Sequence, residues 1–532
     1  MNTSEPLKGR TPRIKPDPLL SLLMIVRNEE RVLADCLRSV QGVVDEMIIV
    51  DTGSSDRTVE IARSFGAAVF TYPWDGSFSN ARNEALSHCT CNYVLYLDAD
   101  ERLESKDRDR LRALMHRPSS DAYEINVVSK RSEAGRIIRT SSDQARLFRR
   151  DPRYRFRYRI HESILPSIHE AGGEVTKEAI TVHHVGYDAS ATVMEQKKRR
   201  NYEQLMLDVR DYPNDLFVRK KYIQTLLMMN KAAEAAEECR VTMEKIGRGA
   251  CGFIAPPRRA AFCNLYADAL MRSNDYAGAK HWALESLKAL KEQNSAHYFL
   301  TIVCDQLGEY EEAMEHLNSI CSMKDGRPPV AEDEITPAPQ DICYKRASLY
   351  RALKKPIEER RELNAALRID PSMTAALFDL AALMARENNF IQALSMITKA
   401  TQTDPANGSV FHLRAKILYQ MQRKEEALRD AARAFQLGDH SDGLLGFWIQ
   451  AAKELKKEAH SMPALAMMSE RYPASGEIVL AYIQQLIHHN DIARSSAVVR
   501  TSLPAVKDPM LRQTLSAIQE KLGQAALVQM QK

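Results

Sequence analysis

The chain has 532 residues, 44% of them hydrophobic and 27% charged, enough for two or three domains with cores of their own. Its 74 Lys and Arg against 70 Asp and Glu leave a formal charge of +4, which argues against general nucleic-acid binding and restricts any basic patch to a local one. Nine Cys without redox spacing, no apolar run of roughly 18 residues and no leader-like start argue against a disulfide scaffold, a membrane span and export. A cytoplasmic protein with reduced thiols is expected.

Residues 1–18 read as a flexible, Pro-broken tail. "LLSLLMIV" then predicts an apolar strand, "EERVLADCLRSV" a helix, "VDEMIIVD" a second strand, "DRTVEIARSFG" a helix closed by Gly66, and "AAVFTY" a third strand. This βαβαβ order predicts a parallel sheet covered on both faces by helices, with ligands at the carboxyl ends of its strands. Three strand ends carry polar groups. "MIVRNEE" places Arg27, Asn28 and Glu29 after the first strand, and "IIVDTGSSDRT" places Asp51 after the second. Gly53, Ser54 and Ser55 follow in a turn that can present backbone N–H groups to an anion. "CNYVLYLDADERL" ends a later strand with Asp98 and Asp100, and Glu101 is expected to cap or orient the next helix. Carboxylates side by side repel one another unless a cation lies between them, and a divalent one is the natural candidate.

Farther on, Arg alternates with Tyr154, Phe156 and Tyr158 from Arg153 to Arg159. As a strand this stretch would have an aromatic face and a cationic face, the latter either solvated or an anion and acceptor surface. It runs into "IHES", where Glu162 and then His161 are candidates for a general base. "AITVHHVGYD" adds His183 and His184, pointing opposite ways if extended.

Beyond about Met194 only helical patterns remain. Ala279 and Ala313 repeat at 34 residues, as do Ala393 and Ala427 and the Asp-Pro pairs at Asp370 and Asp404. This period resembles tetratricopeptide repeats, helix pairs that bury their apolar faces by stacking. "GRGACGFIAPPRR" and "KDGRPPVAEDEITPAP" read as loops that interrupt the array.

The stretches "SLLMIVRNEERVLADCLRSV", "VDEMIIVDTGSSDRTVEIARSFGA", Trp74 with "FSNARNEAL", and "YVLYLDADERL" together resemble family 2 glycosyltransferases over Leu19 to Asp188. The resemblance implies an α/β GT-A (Rossmann-like) catalytic domain at 19–193, followed by an all-α repeat domain at 194–532. It implies a UDP-sugar donor, with Asp51 at the base or ribose. Arg27, Asn28, Glu29, Ser54, Arg82, Asn83 and Asp98 would stand on the nucleotide-sugar side. Asp98 and Asp100 would hold the diphosphate through Mn²⁺ or Mg²⁺, with His184 near the metal and Glu162 or His161 as base of an inverting transfer. The repeats are expected to hold a peptide or protein acceptor or to pair two subunits, as in bacterial peptide- and protein-modifying transferases. A lipid-linked or surface-polysaccharide acceptor, and a repeat scaffold with an inactive transferase domain, remain the alternatives. Because the metal and nucleotide groups all precede Tyr212, a chain ending there is expected to keep donor binding.

Overall fold

Seven residues, all apolar but Ser21, form β1 (Leu20–Val26), flanked in one sheet by β2 (Glu46–Asp51) and β4 (Tyr93–Tyr96), with β3 (Ala68–Thr71) beyond β2. These four strands are parallel. Odd and even positions of β1 feed different cores, which is why the run is apolar from Leu22 to Val26. Leu20, Leu22 and Met24 pack with α1 (Leu33–Val40), α2 (Thr58–Ser64) and, through Leu111 and Met115, a helix at Arg108–His116. Leu23 packs on the other face with α3 (Phe78–His88). The computed structural model describes residues 20–133, 136–185, 191–320 and 335–530. The expected tail, Gly186–Tyr187 and most of the second interrupting loop lie outside them.

The sheet is mixed rather than wholly parallel. A long hairpin of β6 (Ala122–Glu133) and β7 (Arg136–Arg149) joins β4 antiparallel through β7. β5 (Glu101–Leu103) and β8 (Val175–His184) complete the order β3-β2-β1-β4-β7-β6-β8-β5. We number the Arg108–His116 helix α4, Leu165–Glu170 α5, Ala191–Asp211 α6 and Leu216–Met228 α7. The pairing Val26↔Asp51 and Leu23↔Tyr96 brings the polar ends of β1, β2 and β4 to one edge of the sheet.

Contacts divide the chain into two compact units, Met1–Asp275 and Tyr276–Lys532. The first therefore includes α6, α7 and further helices as well as the sheet. Beyond them, helix pairs continue to Met530. Ala279, Ala313, Ala393 and Ala427 are all fully buried, as the repeat pattern requires. Within the pairs, the turns put Lys354, Asn388, Gln422, Lys456 and Asn490 in the left-handed region at 34-residue intervals. Asn274 and Gly308 share that spacing, while the steps from Asn230 to Asn274 and from Gly308 to Lys354 are 44 and 46 residues. Both expected interrupting loops fall inside those longer steps. No described helix is long and apolar enough to cross a membrane.

Gln422, exposed at φ 62°, tests the turn geometry. Glycine takes this conformation freely, whereas a β-branched side chain does so at a cost of roughly 1–2 kcal/mol. Gln422→Gly is expected to leave stability unchanged or raise it by up to ~1 kcal/mol, and Gln422→Val to lower it by ~1 kcal/mol or more, in urea unfolding.

Candidate active site

The first two loops at the sheet edge are stitched together. Asn28, left-handed at φ 57°, accepts the Ser55 N–H at 2.8 Å through Oδ1 and donates its own N–H to Ser54 Oγ at 2.9 Å. Glu29 donates its N–H to Thr58 Oγ1 at 2.7 Å. Asp51, 6% exposed, accepts the N–H groups of Gly53 at 3.3 Å and Ser54 at 3.1 Å. The expected anion cradle in this turn is therefore corrected. The N–H groups of Gly53, Ser54, Ser55, Arg57 and Thr58 already have side-chain acceptors, so the turn is closed on itself.

A cleft of about 660 Å³ opens beside these loops. It brings together Arg27, Glu29, Arg82, Asp98, Asp100, His161, Glu162 and His184 of the expected residues. Asn28, Asp51, Ser54 and Asn83 do not line it. Trp74 and Phe78 form an aromatic wall, stacked edge-on at 4.7 Å, and Lys197 and Arg200 of α6 add positive charge. These last two had no signal in the sequence, since nothing in a helical stretch a hundred residues after Asp98 tells which face it turns to a sheet.

Arg82 organises the cleft floor. Its Nη2 donates to Asp98 Oδ1 at 2.6 Å and its Nε to Glu162 Oε1 at 2.7 Å, and the residue is 3% exposed. A second buried cation, Arg146 of β7, donates to Glu101 Oε1 at 2.7 Å and lies 3.6 Å from Asp98 Oδ2. Tyr96 lies between the two guanidiniums, at 4.8 and 4.5 Å. Burial pushes the Asp98 carboxyl up, but Arg82 and Arg146 outweigh it and hold the group well below the usual carboxylate range. The expected role of Glu101 is corrected too. It is a buried residue of β5 that pairs with Arg146 and accepts the Asp98 N–H at 2.9 Å, so it braces the metal-motif turn rather than a helix. Arg146 escaped the sequence reading because only the β4–β7 pairing brings it beside Asp98.

At the other end, Asp100 Oδ2 lies 3.1 Å from His184 Nε2, and the hydrogen bond raises the imidazole pKa. His183 faces away, onto Glu104, as an extended segment requires. Glu29 completes this corner, its carboxyl pushed up to about 7 by burial and then by Asp100 and Asp98. The donor set of Asp100, His184 and Glu29 fits a hard divalent cation, since negative charge is crowded there and only partly offset by Lys197. A cation fits less directly at Asp98, both of whose oxygens face a guanidinium. Among the described residues the set of three such side chains whose ligand atoms all lie within 4.8 Å of one another is Cys304, Glu312 and His316, far along the chain. There the Lys280 ammonium, 2.7 Å from Glu312, already supplies positive charge.

The Arg-rich stretch is not a strand. It forms an irregular loop with one bridge, Arg157↔Ser163, yet its alternation persists: Tyr154, Phe156 and Tyr158 are buried. Three of the four arginines on its outer face are already neutralised, and Arg155 donates to the Tyr154 carbonyl at 2.8 Å. Arg153 pairs with Asp151, Arg157 with Glu170, and Arg159 with Asp208 at 2.8 Å and Asp211 at 2.6 Å. Tyr158 donates to Asp215 at 2.6 Å and stacks on Phe217. Thus α6 and α7 grip the loop that carries His161 and Glu162. Tyr158 and His161 are both left-handed, at φ 69° and 54°, and the grip holds this costly backbone in place. Crowding by the cleft walls and the nearby Lys221 push the His161 pKa down to about 4.

Residues 21–169 match the family model described as glycosyl transferase family 2. A TPR repeat-containing protein of Synechococcus elongatus is 34% identical over 224 residues, covering 41% of this chain and 54% of that protein. An uncharacterized glycosyltransferase of Rickettsia typhi is 36% identical over 104 residues, covering 20% of this chain and 35% of that protein. The SPbeta prophage-derived glycosyltransferase SunS of Bacillus subtilis is 28% identical over 189 residues, covering 35% and 43%. The chain thus spans about half the length, or less, of these relatives.

Proposed function

We propose, from the premise that residues 21–169 are a family 2 glycosyltransferase domain continued by tetratricopeptide-type helix pairs, that the protein transfers a sugar from a UDP-sugar to an acceptor with inversion at the anomeric carbon. One observation carries the reading: Asp98, Asp100 and His184 meet Glu162 across a single cleft at the carboxyl edge of the sheet. A single displacement needs a charge-stabilising end for the leaving diphosphate and a base for the acceptor, and this cleft has both. Asp100 and His184, with Glu29 beside them, would hold Mn²⁺ or Mg²⁺. When bound, such an ion offsets the negative charge that develops on the leaving phosphate. Lys197 and Arg200 line the same cleft and favour an anionic donor.

Glu162 takes the proton of the acceptor group as that group bonds to the anomeric carbon and the bond to the diphosphate breaks. His161 is the weaker choice. Protonating it would create a cation in a crowded site near Lys221, which is what its lowered pKa expresses. A peptide or protein side chain is the acceptor we favour, because stacked helix pairs provide an extended surface suited to holding a chain.

Calorimetric titration of UDP-glucose and UDP-N-acetylglucosamine tests the donor site. Binding is expected with Mn²⁺ and a loss of at least about tenfold in affinity with EDTA. Equal affinity in both conditions would remove the cation from the proposal.

A further inference from the structure

The resemblance put Arg82 and Asn83 on the nucleotide side of the site; one arm of Arg82 does reach Asp98 there, but its other arm and both side-chain amide atoms of Asn83 bond the loop that carries Glu162. Helix α3 touches the loop bearing Glu162 at three points. The Phe78 N–H donates to Arg159 O at 2.9 Å. Asn83 brackets Phe156, its Nδ2 donating to the carbonyl at 2.9 Å and its Oδ1 accepting the N–H at 2.8 Å. Arg82 Nε donates to Glu162 Oε1 at 2.7 Å. The contacts fall at residues 156, 159 and 162, an even spacing along a loop with almost no ladder of its own.

The guanidinium is fixed on nearly every side. Asp98 holds Nη2 at 2.6 Å, and the rings of Tyr96 and Phe156 lie 4.8 and 5.8 Å from its central carbon. Only Nη1 is buried without a partner. Glu162 Oε2, by contrast, makes none of the hydrogen bonds found for this carboxylate among the described residues, all of which go through Oε1.

We infer that Arg82 is the positioning residue of the proton-accepting carboxylate: it pins Glu162 through Oε1 and leaves Oε2 to take the acceptor's proton. The inference rests on the transferase reading and deepens it. Through its second arm to Asp98, the same guanidinium ties the placement of the base to the turn that carries Asp100. A fixed carboxylate meets the acceptor at one distance and angle, and losing that alignment slows the chemical step without removing the donor site. Lys cannot reproduce this, since one ammonium cannot hold two carboxylates in the planar geometry of Nε and Nη2.

The test compares wild type, Arg82→Ala, Arg82→Lys, Glu162→Gln and the double variant Arg82→Ala/Glu162→Gln, each checked for folding by thermal melt. UDP-sugar affinity is read by calorimetry and acceptor transfer by product formation. Arg82→Ala is expected to lower kcat by about 10²-fold with donor affinity within about threefold, and methylguanidinium is expected to restore part of the rate. The double variant is expected to be no slower than Glu162→Gln, because a residue that acts through another adds nothing once that other is gone. Arg82→Lys keeps the buried charge and is expected to show the same split between kcat and KM, which preserves the test if the Ala variant unfolds. Additive losses in the double variant, or affinity falling in step with kcat, would overturn the inference and return Arg82 to the donor side. A wild-type rate in Glu162→Gln would instead overturn the assignment of the base, and wild-type protein that binds no UDP-sugar would overturn the transferase reading itself.

Discussion

Glu162→Gln is expected to bind UDP-sugar as the wild type does and to transfer it about 10²- to 10⁴-fold more slowly, whereas Asp100→Ala is expected to lose donor affinity and turnover together. The two residues line one cleft and serve different moments of the reaction. Gln keeps an oxygen for Arg82 Nε, so the loop stays pinned, but an amide cannot accept the acceptor's proton at working pH. Asp100 is different, being paired with His184 at 3.1 Å in the crowded corner that suits a cation. Removing it takes away a ligand oxygen and leaves His184 without its partner. Initial-rate kinetics and calorimetry on both variants separate the cases. A Glu162→Gln enzyme with full transfer would move the base to His161, and an Asp100→Ala enzyme with intact Mn²⁺-dependent donor binding would remove Asp100 from the metal.

The second large effect concerns where the chain can be cut. A chain of residues 1–275 is expected to fold, bind UDP-sugar and hydrolyse it slowly, whereas one ending at Tyr212 is expected to lose both folding and binding. This reverses the expectation from sequence, which counted only metal and nucleotide groups. The structure adds Asp215, which accepts the Tyr158 hydroxyl and caps α7, and Phe217, which stacks on the same tyrosine at 5.3 Å. Cutting at Tyr212 also strips the partners of α6, because Leu216, Val218, Ile223 and Leu226 of α7 are buried. Deleting α7 uncovers the surface these side chains pack on, and at roughly 1.5–3 kcal/mol per buried apolar side chain even part of that loss is a large share of a domain's stability. Thermal melts with donor titration and hydrolysis assays on the two chains decide it. A chain 1–212 that folds and hydrolyses UDP-sugar at the full-length rate would show that the grip on the loop is dispensable.

How far the sequence could be read depended on whether the signal was local. The first two strands stood out because a strand buried on both faces is a nearly unbroken apolar run, and Gly66 closes α2 in the left-handed form at φ 80°. Asp98 and Asp100 were legible because charged residues that end an apolar strand call for a counter-charge, whereas His184 came only from the family resemblance. The β6–β7 hairpin was not, since its strands carry many polar residues and only pairing with β4 and β8 gives them a place. The Arg-rich loop shows the limit most clearly. Its alternation separated Tyr154, Phe156 and Tyr158 from the arginines, and the rings are the buried side, but the carboxylates that neutralise Arg159 lie 49 and 52 residues later on a helix whose facing no local pattern encodes.

The left-handed turns of the helix pairs keep count. From Lys354 to Asn490 they fall every 34 residues without a slip, so the two helices of each pair are joined through the same geometry and the pairs themselves recur at one interval. An array built this way is insensitive to where along that run a whole unit is gained or lost, because both new junctions reproduce old ones. Its reach can therefore lengthen or shorten only in steps of one helix pair, while a change of any other length would put a turn residue inside a helix. The two longer steps, after Asn230 and after Gly308, are then the places where this rule is suspended. Variation in this protein should be of two kinds: whole units within the even run, and free insertions confined to those two seams.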